Sequence, residues 1–141
     1  MLVALAWPTH VHHARAHDWF GRNHKRGWAT CPVTQAGFVR VLSNQAFSPD
    51  ALTPREALAH LQAMIALPGH VFFPDDVSLI GSKFLAPEKL QGYRQVSDAH
   101  LLSVALRNGG MFVTLDRGAR SLVPKGFKAD VVDFIGDGAD V

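Results

Sequence analysis

The sequence predicts a single α/β domain over residues 1–141, a central parallel sheet with helices on both faces. Two observations predict it. The strand-like runs are uniformly apolar rather than alternating, as in strands buried on both sides, and segments with helical caps separate them, the order of a parallel sheet with crossovers. A length of 141 residues, 48% of them apolar, supports one domain with a real core.

Leu2–Ala6 (LVALA) is read as a first buried strand, beginning abruptly. A helical stretch follows from Thr9 or His10 to about Arg26. Val11, Ala14, Trp19 and Phe20 are available to its buried side, and Gly27 ends it. Trp28–Thr30 is a second short strand. Pro32 stands where a helix can start, since its missing N–H would be unpaired there anyway, and a helix Val33–Leu42 runs to a stop at Asn44. Thr53-Pro54-Arg55-Glu56 is a capping box, with a hydroxyl cap, proline in the first turn and glutamate three residues on. It opens a helix from Pro54 to about Leu67, which Pro68-Gly69 stops. His70–Phe73 is strand-like, and residues 77–95 hold one or two short turns with Pro87 near the start of one. Ser97 is expected to cap a helix from Asp98 to Arg107 that Asn108-Gly109-Gly110 ends. Met111–Leu115 and Val131–Ile135 are the remaining strands.

Charge narrows the function classes only slightly. Fourteen basic and twelve acidic residues leave +2, too little for a nucleic-acid footprint by itself. Residues 1–70 carry six basic and three acidic residues and seven of the eight histidines, whereas residues 71–141 carry eight basic and nine acidic. The late carboxylates are Asp75, Asp76, Asp98, Asp116 and those of the Asp130–Asp140 tail. No apolar run approaches the roughly 18 residues of a membrane span. The opening lacks a secretory pattern, and a single cysteine, Cys31, excludes an internal disulfide. A cytoplasmic protein with no membrane segment is the expectation.

In an open parallel sheet the functional crevice lies at the carboxyl ends of the strands. Asp116 falls there, directly after Met111–Leu115. It also fits an ordinary turn aspartate before Arg117-Gly118. Asp98 sits at the first turn of a helix, where the dipole favours a carboxylate without any function. The helix that begins at Asp98 feeds the strand that ends at Asp116, so one αβ unit can return both acids to the same edge. Arg94, Arg117 and Arg120 flank these acids and are candidates for phosphate contacts, or else solubilising surface charges. His13 and His17 have helical metal-ligand spacing, but neither an H-E-x-x-H glutamate nor a third ligand accompanies them. Cys31 reads as a buried small thiol.

Val96-Ser97-Asp98-Ala99-His100-Leu101-Leu102, then Gly109-Gly110, then Phe112-Val113-Thr114-Leu115-Asp116-Arg117-Gly118 resembles the C-terminal half of a PIN domain of the VapC toxin type. Trp28-Ala29-Thr30-Cys31-Pro32-Val33-Thr34-Gln35, Phe38–Asn44 and the His-rich start ending in Trp19-Phe20 resemble the same family, so the likeness spans the chain. It implies an endoribonuclease toxin of a toxin–antitoxin pair that hydrolyses RNA with Mg²⁺ or Mn²⁺ held by clustered acids. It further implies a homodimer and a VapB-like antitoxin that covers the acidic groove. By matching strings, Asp98 and Asp116 are the third and fourth family carboxylates and the expected catalytic metal ligands, with Ser97 and Thr114 orienting water or ligands beside them. Gln35 takes the catalytic position where many members carry glutamate. An impaired module that binds antitoxin or RNA without cleavage is the alternative.

The family's first acid belongs to a D-x-N-x-L string at the end of the first strand. Aligning its leucine with Leu2 puts that aspartate three residues before Met1, so the first strand is expected to be incomplete. The expectation is that the in-frame codons upstream of Met1 encode an apolar run followed by Asp-x-Asn. Sequencing that region checks it, and a stop codon directly before Met1 would end the idea.

Overall fold

Local hydrogen bonding and two separate apolar cores dictate the architecture. A computed structural model describes residues 1–136, which fall into two compact units, Met1–Pro74 and Asp75 onward. Asp137 and Asp140 of the acidic tail lie outside the described residues.

The first unit begins with helix α1 (Leu2–Ala6), not the expected strand. The Leu5 and Trp7 amides donate to the Met1 and Val3 carbonyls at 3.2 and 2.9 Å, so the backbone satisfies itself without a ladder partner. His13 Nδ1 and His17 Nε2 lie 2.8 and 2.9 Å from the Ala4 and Leu5 carbonyls. These ring N–H groups serve carbonyls that a helix end leaves unpaired.

Helix α2 (His13–Asn23) starts later than expected and tightens into a 3₁₀ turn, His24–Arg26, before strand β1 (Trp28–Thr30). Helix α3 (Pro32–Leu42) has Pro32 in its first turn. Cys31, buried at the N-cap, donates its backbone N–H to Thr34 Oγ1 at 2.9 Å. Helix α4 (Pro54–Ile65) carries the expected capping box, with Glu56 N donating to Thr53 Oγ1 at 3.2 Å and Thr53 N to Glu56 Oε2 at 2.7 Å. Such a cap contributes about 1 kcal/mol. Phe38 and Leu42 of α3 and Ala57 and Leu61 of α4, each pair one helical turn apart, form the core, with Leu2, Val3 and Trp7 packed on it.

Strand β2 (His70–Phe72) pairs in parallel with β1, Thr30 opposite Phe72. Gly69 makes the entry to that pairing possible. Its carbonyl accepts from the Trp28 amide at 3.0 Å, its φ is +85°, and a Cβ there would stand 2.1 Å from the His24 carbonyl oxygen.

In the second unit, a 3₁₀ turn at Pro87–Lys89 precedes helix α5 (Gln95–Arg107), followed by strands β3 (Phe112–Thr114) and β4 (Val132–Phe134). Ser97 does not cap α5. The helix starts three residues earlier than expected, because Gln95 Oε1 folds back to accept from the Gln91 and Gly92 amides at 2.7 and 3.3 Å. Ala99, Leu102 and Leu106 make one stripe along α5 and pack with Leu85, Leu122, Val123 and Val132. Two ties hold the start of the unit to this helix, His100 Nε2 to Asp75 Oδ1 at 2.9 Å and Arg107 to Asp76 at 3.3 Å.

All pairing is parallel, as the apolar strands imply. Among the described residues the ladders form two two-stranded ribbons, β1–β2 and β3–β4, and no ladder joins the two. Each strand is three residues long, which leaves few ladder groups for a further partner.

Gly69→Ala is expected to destabilise the protein clearly more than Gly81→Ala. Gly81 has φ +72° with nothing near its Cβ position, so alanine there costs about 1 kcal/mol for the left-handed backbone alone. At Gly69 the steric clash adds to that cost. Urea-unfolding midpoints of the two variants check the order.

Candidate active site

The carboxyl end of β3 turns sharply, and the turn is built from side chains. Thr114, only 7% exposed, accepts a hydrogen bond at Oγ1 from the Asp116 amide at 3.0 Å. Asp116 in turn caps the 3₁₀ helix Arg117–Leu122, its Oδ1 accepting from the Gly118 amide at 2.7 Å. It forms the turn, and that turn fixes an exposed carboxylate just beyond a strand end.

Asp98 lies in the first turn of α5, half-buried. Removal from water, and secondarily the negative charge of Asp116, hold its carboxyl above the ordinary aspartate value of 3.8. The helix dipole favours its anion, yet burial and the like charge outweigh that. The packing of α5 beside β3 thus leaves the two acids within electrostatic reach of each other.

Arg94 is the N-cap of α5 and already has helical backbone angles, φ −66° and ψ −23°. Four residues before Asp98, it shares that acid's helix face. Ser97 is exposed beside Asp98. Arg117 sits with its guanidinium 5.4 Å from the centre of the Phe134 ring, and Arg120 is exposed on the same 3₁₀ helix.

Gln35 belongs to the first unit, in a different network. Its Nε2 donates to Thr30 Oγ1 at 3.0 Å, and Thr30 Oγ1 lies 2.8 Å from His70 Nε2. With Gln35 as donor, the Thr30 hydroxyl is free to donate to His70, which burial keeps below the usual histidine pKa. A neutral imidazole accepting at Nε2 satisfies all three groups. The amide supplies a donor that a carboxylate at this position would lack.

The donor set at Asp98 and Asp116 suits a hard divalent cation. The charge of Asp116 acts unfavourably on the Asp98 carboxylate, and Mg²⁺ typically takes one or two carboxylates while keeping several waters. Among the described residues no group of three or more histidine, cysteine, aspartate or glutamate side chains forms a metal cluster. The His13 and His17 nitrogens that contact carbonyls are engaged there.

The sequence is 48% identical over 130 residues to Ribonuclease VapC38 of Mycobacterium tuberculosis, spanning 92% of this chain and 90% of that protein. It is 47% identical over 116 residues to Ribonuclease VapC39 of the same species, spanning 82% and 84%. The chain belongs to the VapC family. A third mycobacterial member, Ribonuclease VapC44, is 38% identical over 125 residues, 88% of this chain and 87% of its own. No protein-family model matches the chain. In this VapC-family chain Asp98 lies at the start of α5 and Asp116 just beyond the end of β3.

Sequence reasoning did not single out two features of this region. The first is the Asp75–His100 pair, which joins residues 25 apart in the chain and left no local signal. The second is Tyr93, the one tyrosine in the chain, exposed in an otherwise polar Gln91-Gly92-Tyr93-Arg94-Gln95 string.

Because folding raises the pKa of Asp98, its protonated form contributes stability that is fully present below the unfolded value of 3.8 and lost as pH rises through the folded pKa. Asp98→Asn is therefore expected to match the wild type in acid below that window and to exceed it in stability at neutral pH. Asp116→Asn lowers the Asp98 pKa toward its ordinary value. Urea unfolding against pH and carboxyl-carbon NMR titration check the two statements.

Proposed function

We propose that this VapC-family protein is an endoribonuclease toxin that hydrolyses RNA phosphodiester bonds with Mg²⁺, or Mn²⁺, held by Asp98 and Asp116. The observation that carries the reading is the like-charged pair itself, half-buried at Asp98, whose carboxyl burial and the Asp116 charge hold above its ordinary pKa. A fold retains such a pair at a cost in stability, and sites of this kind mark function more often than chance. The names of the mycobacterial relatives supply the substrate class, RNA.

When bound, the ion supplies Lewis-acid stabilisation of charge on the phosphate and activates water for attack. The remaining work belongs to the chain. Thr114 fixes the backbone of Asp116 and so the direction of its carboxylate, while Ser97 offers a hydroxyl beside Asp98 to orient water. Arg94, Arg117 and Arg120 supply cations for the phosphates on either side of the cleaved bond, compensating charge that the two acids would otherwise repel. Gln35 is a neutral amide at a position where many family members place an acid. Two ligand charges, those of Asp98 and Asp116, bind a divalent ion less tightly than three or four, so a requirement for high Mg²⁺ concentration follows. The partners in this reading are a VapB-like antitoxin covering the acidic groove, and a second copy of the chain in a homodimer, in the cytoplasm. Among the described residues no helix is long and apolar enough to cross a membrane.

Asp98→Asn and Asp116→Asn are each expected to lower Mg²⁺-dependent cleavage of single-stranded RNA by about a hundredfold or more, the scale on which one electrostatic element of a site acts. Circular dichroism of both variants should remain native. Full cleavage by both variants, or cleavage unaffected by chelation of divalent ions, would overturn the reading. A matched DNA substrate, expected to resist, separates ribonuclease from general phosphodiesterase activity.

A further inference from the structure

Resting on that ribonuclease reading, we infer that Tyr93 is a stacking platform for an unpaired RNA base, positioning the strand so that its phosphate meets Arg94 and the acids of the site. Tyr93 is 81% exposed, a large aromatic surface that contributes nothing to either core. It is nevertheless held. Arg94 Nε donates to the Tyr93 hydroxyl at 3.3 Å, and the guanidinium carbon lies 5.8 Å from the ring centre. The backbone beneath them is fixed as well, because the Gln95 side chain gathers the Gln91 and Gly92 amides and the Gln95 and Val96 amides donate to the Gly92 and Tyr93 carbonyls at 3.1 and 3.3 Å.

Position decides what such a ring can do. Arg94 and Asp98 stand four residues apart on one helix face, so the Tyr93–Arg94 pair sits at the head of the helix that carries the half-buried acid. A π-face beside a cation is the combination that single-stranded nucleic acid binds, the base stacking on the ring and the backbone meeting the charge. The arrangement takes bases out of a stack, so it favours single-stranded or looped RNA over a duplex. It has no donor–acceptor pattern around the ring, so it serves affinity and register rather than the identity of the base.

The test is binding of a short single-stranded RNA containing 2-aminopurine, measured without divalent ions so that cleavage is not involved. Tyr93→Ala is expected to raise Kd between about fivefold and a hundredfold and to abolish quenching of the 2-aminopurine fluorescence. Tyr93→Phe, which keeps the ring, retains quenching. Arg94→Ala should reduce the slope of log affinity against log salt by about one, whereas Tyr93→Ala leaves that slope unchanged. Wild-type affinity and quenching in Tyr93→Ala would overturn the stacking role. If Asp116→Asn still abolished cleavage in that event, the ribonuclease reading would stand. Loss of native circular dichroism in Tyr93→Ala would also count against the inference, since it would make the ring structural.

Discussion

The packing of α5 beside β3 brings Asp98 and Asp116 close enough for the charge of one to act on the other, and the candidate site of the second unit depends on that arrangement. Ala99, Leu102 and Leu106 bury one stripe of α5 in the same core that takes Val132 of β4. At roughly 25 cal/mol per Å² of apolar surface, that burial is large enough to impose an unfavourable meeting of charges at its edge. Asp98 feels the result directly as lost hydration and a neighbouring negative charge. The acids meet because the core places them, and the core does not depend on the acids.

Around that contact the second unit assigns each group one task. Thr114 and the Gly118 amide orient Asp116, leaving its charge to act on Asp98 and on whatever cation binds. Arginines stand at the head of α5 and along the 3₁₀ helix after Asp116, so positive charge brackets the acids without neutralising Asp98. In the proposed function this composition would draw a divalent ion to the acids and a polyanion to the arginines. The Asp75–His100 and Arg107–Asp76 ties hold the chain entering the unit to the far side of the same helix, which stiffens the scaffold without using the site acids.

The first unit shows the same economy with neutral groups. Gln35, Thr30 and His70 complete one another's hydrogen bonds, with burial keeping His70 uncharged. Buried polar groups cost stability unless satisfied, and an amide satisfies the Thr30 hydroxyl while leaving its proton for the imidazole. His13 and His17, whose spacing resembled a metal motif, instead serve as donors to the last carbonyls of α1. Histidine-rich spacing on a helix is therefore explained here by backbone satisfaction rather than by coordination.

Much was legible in the sequence because it is encoded locally. The capping box at Thr53, the proline starts at Pro32 and Pro54, the four apolar strands after the first and the position of Asp116 after a strand depend on residues within a few positions of each other, and each appears in the structure. Failures came where distant groups arbitrate. LVALA reads equally as strand or helix by apolarity alone, and carbonyl capping by His13 and His17 together with packing on Phe38 and Leu42 accompanies the helical outcome. Ser97 looked like a cap until Gln95 folded back on Gln91 and started the helix earlier. That Asp98 and Asp116 share one electrostatic environment could be suspected from an αβ unit but not established by it. Sequence fixes propensity over a turn or two of chain, whereas the desolvation and charge coupling that define a site arise only when segments far apart in the chain exclude water between them.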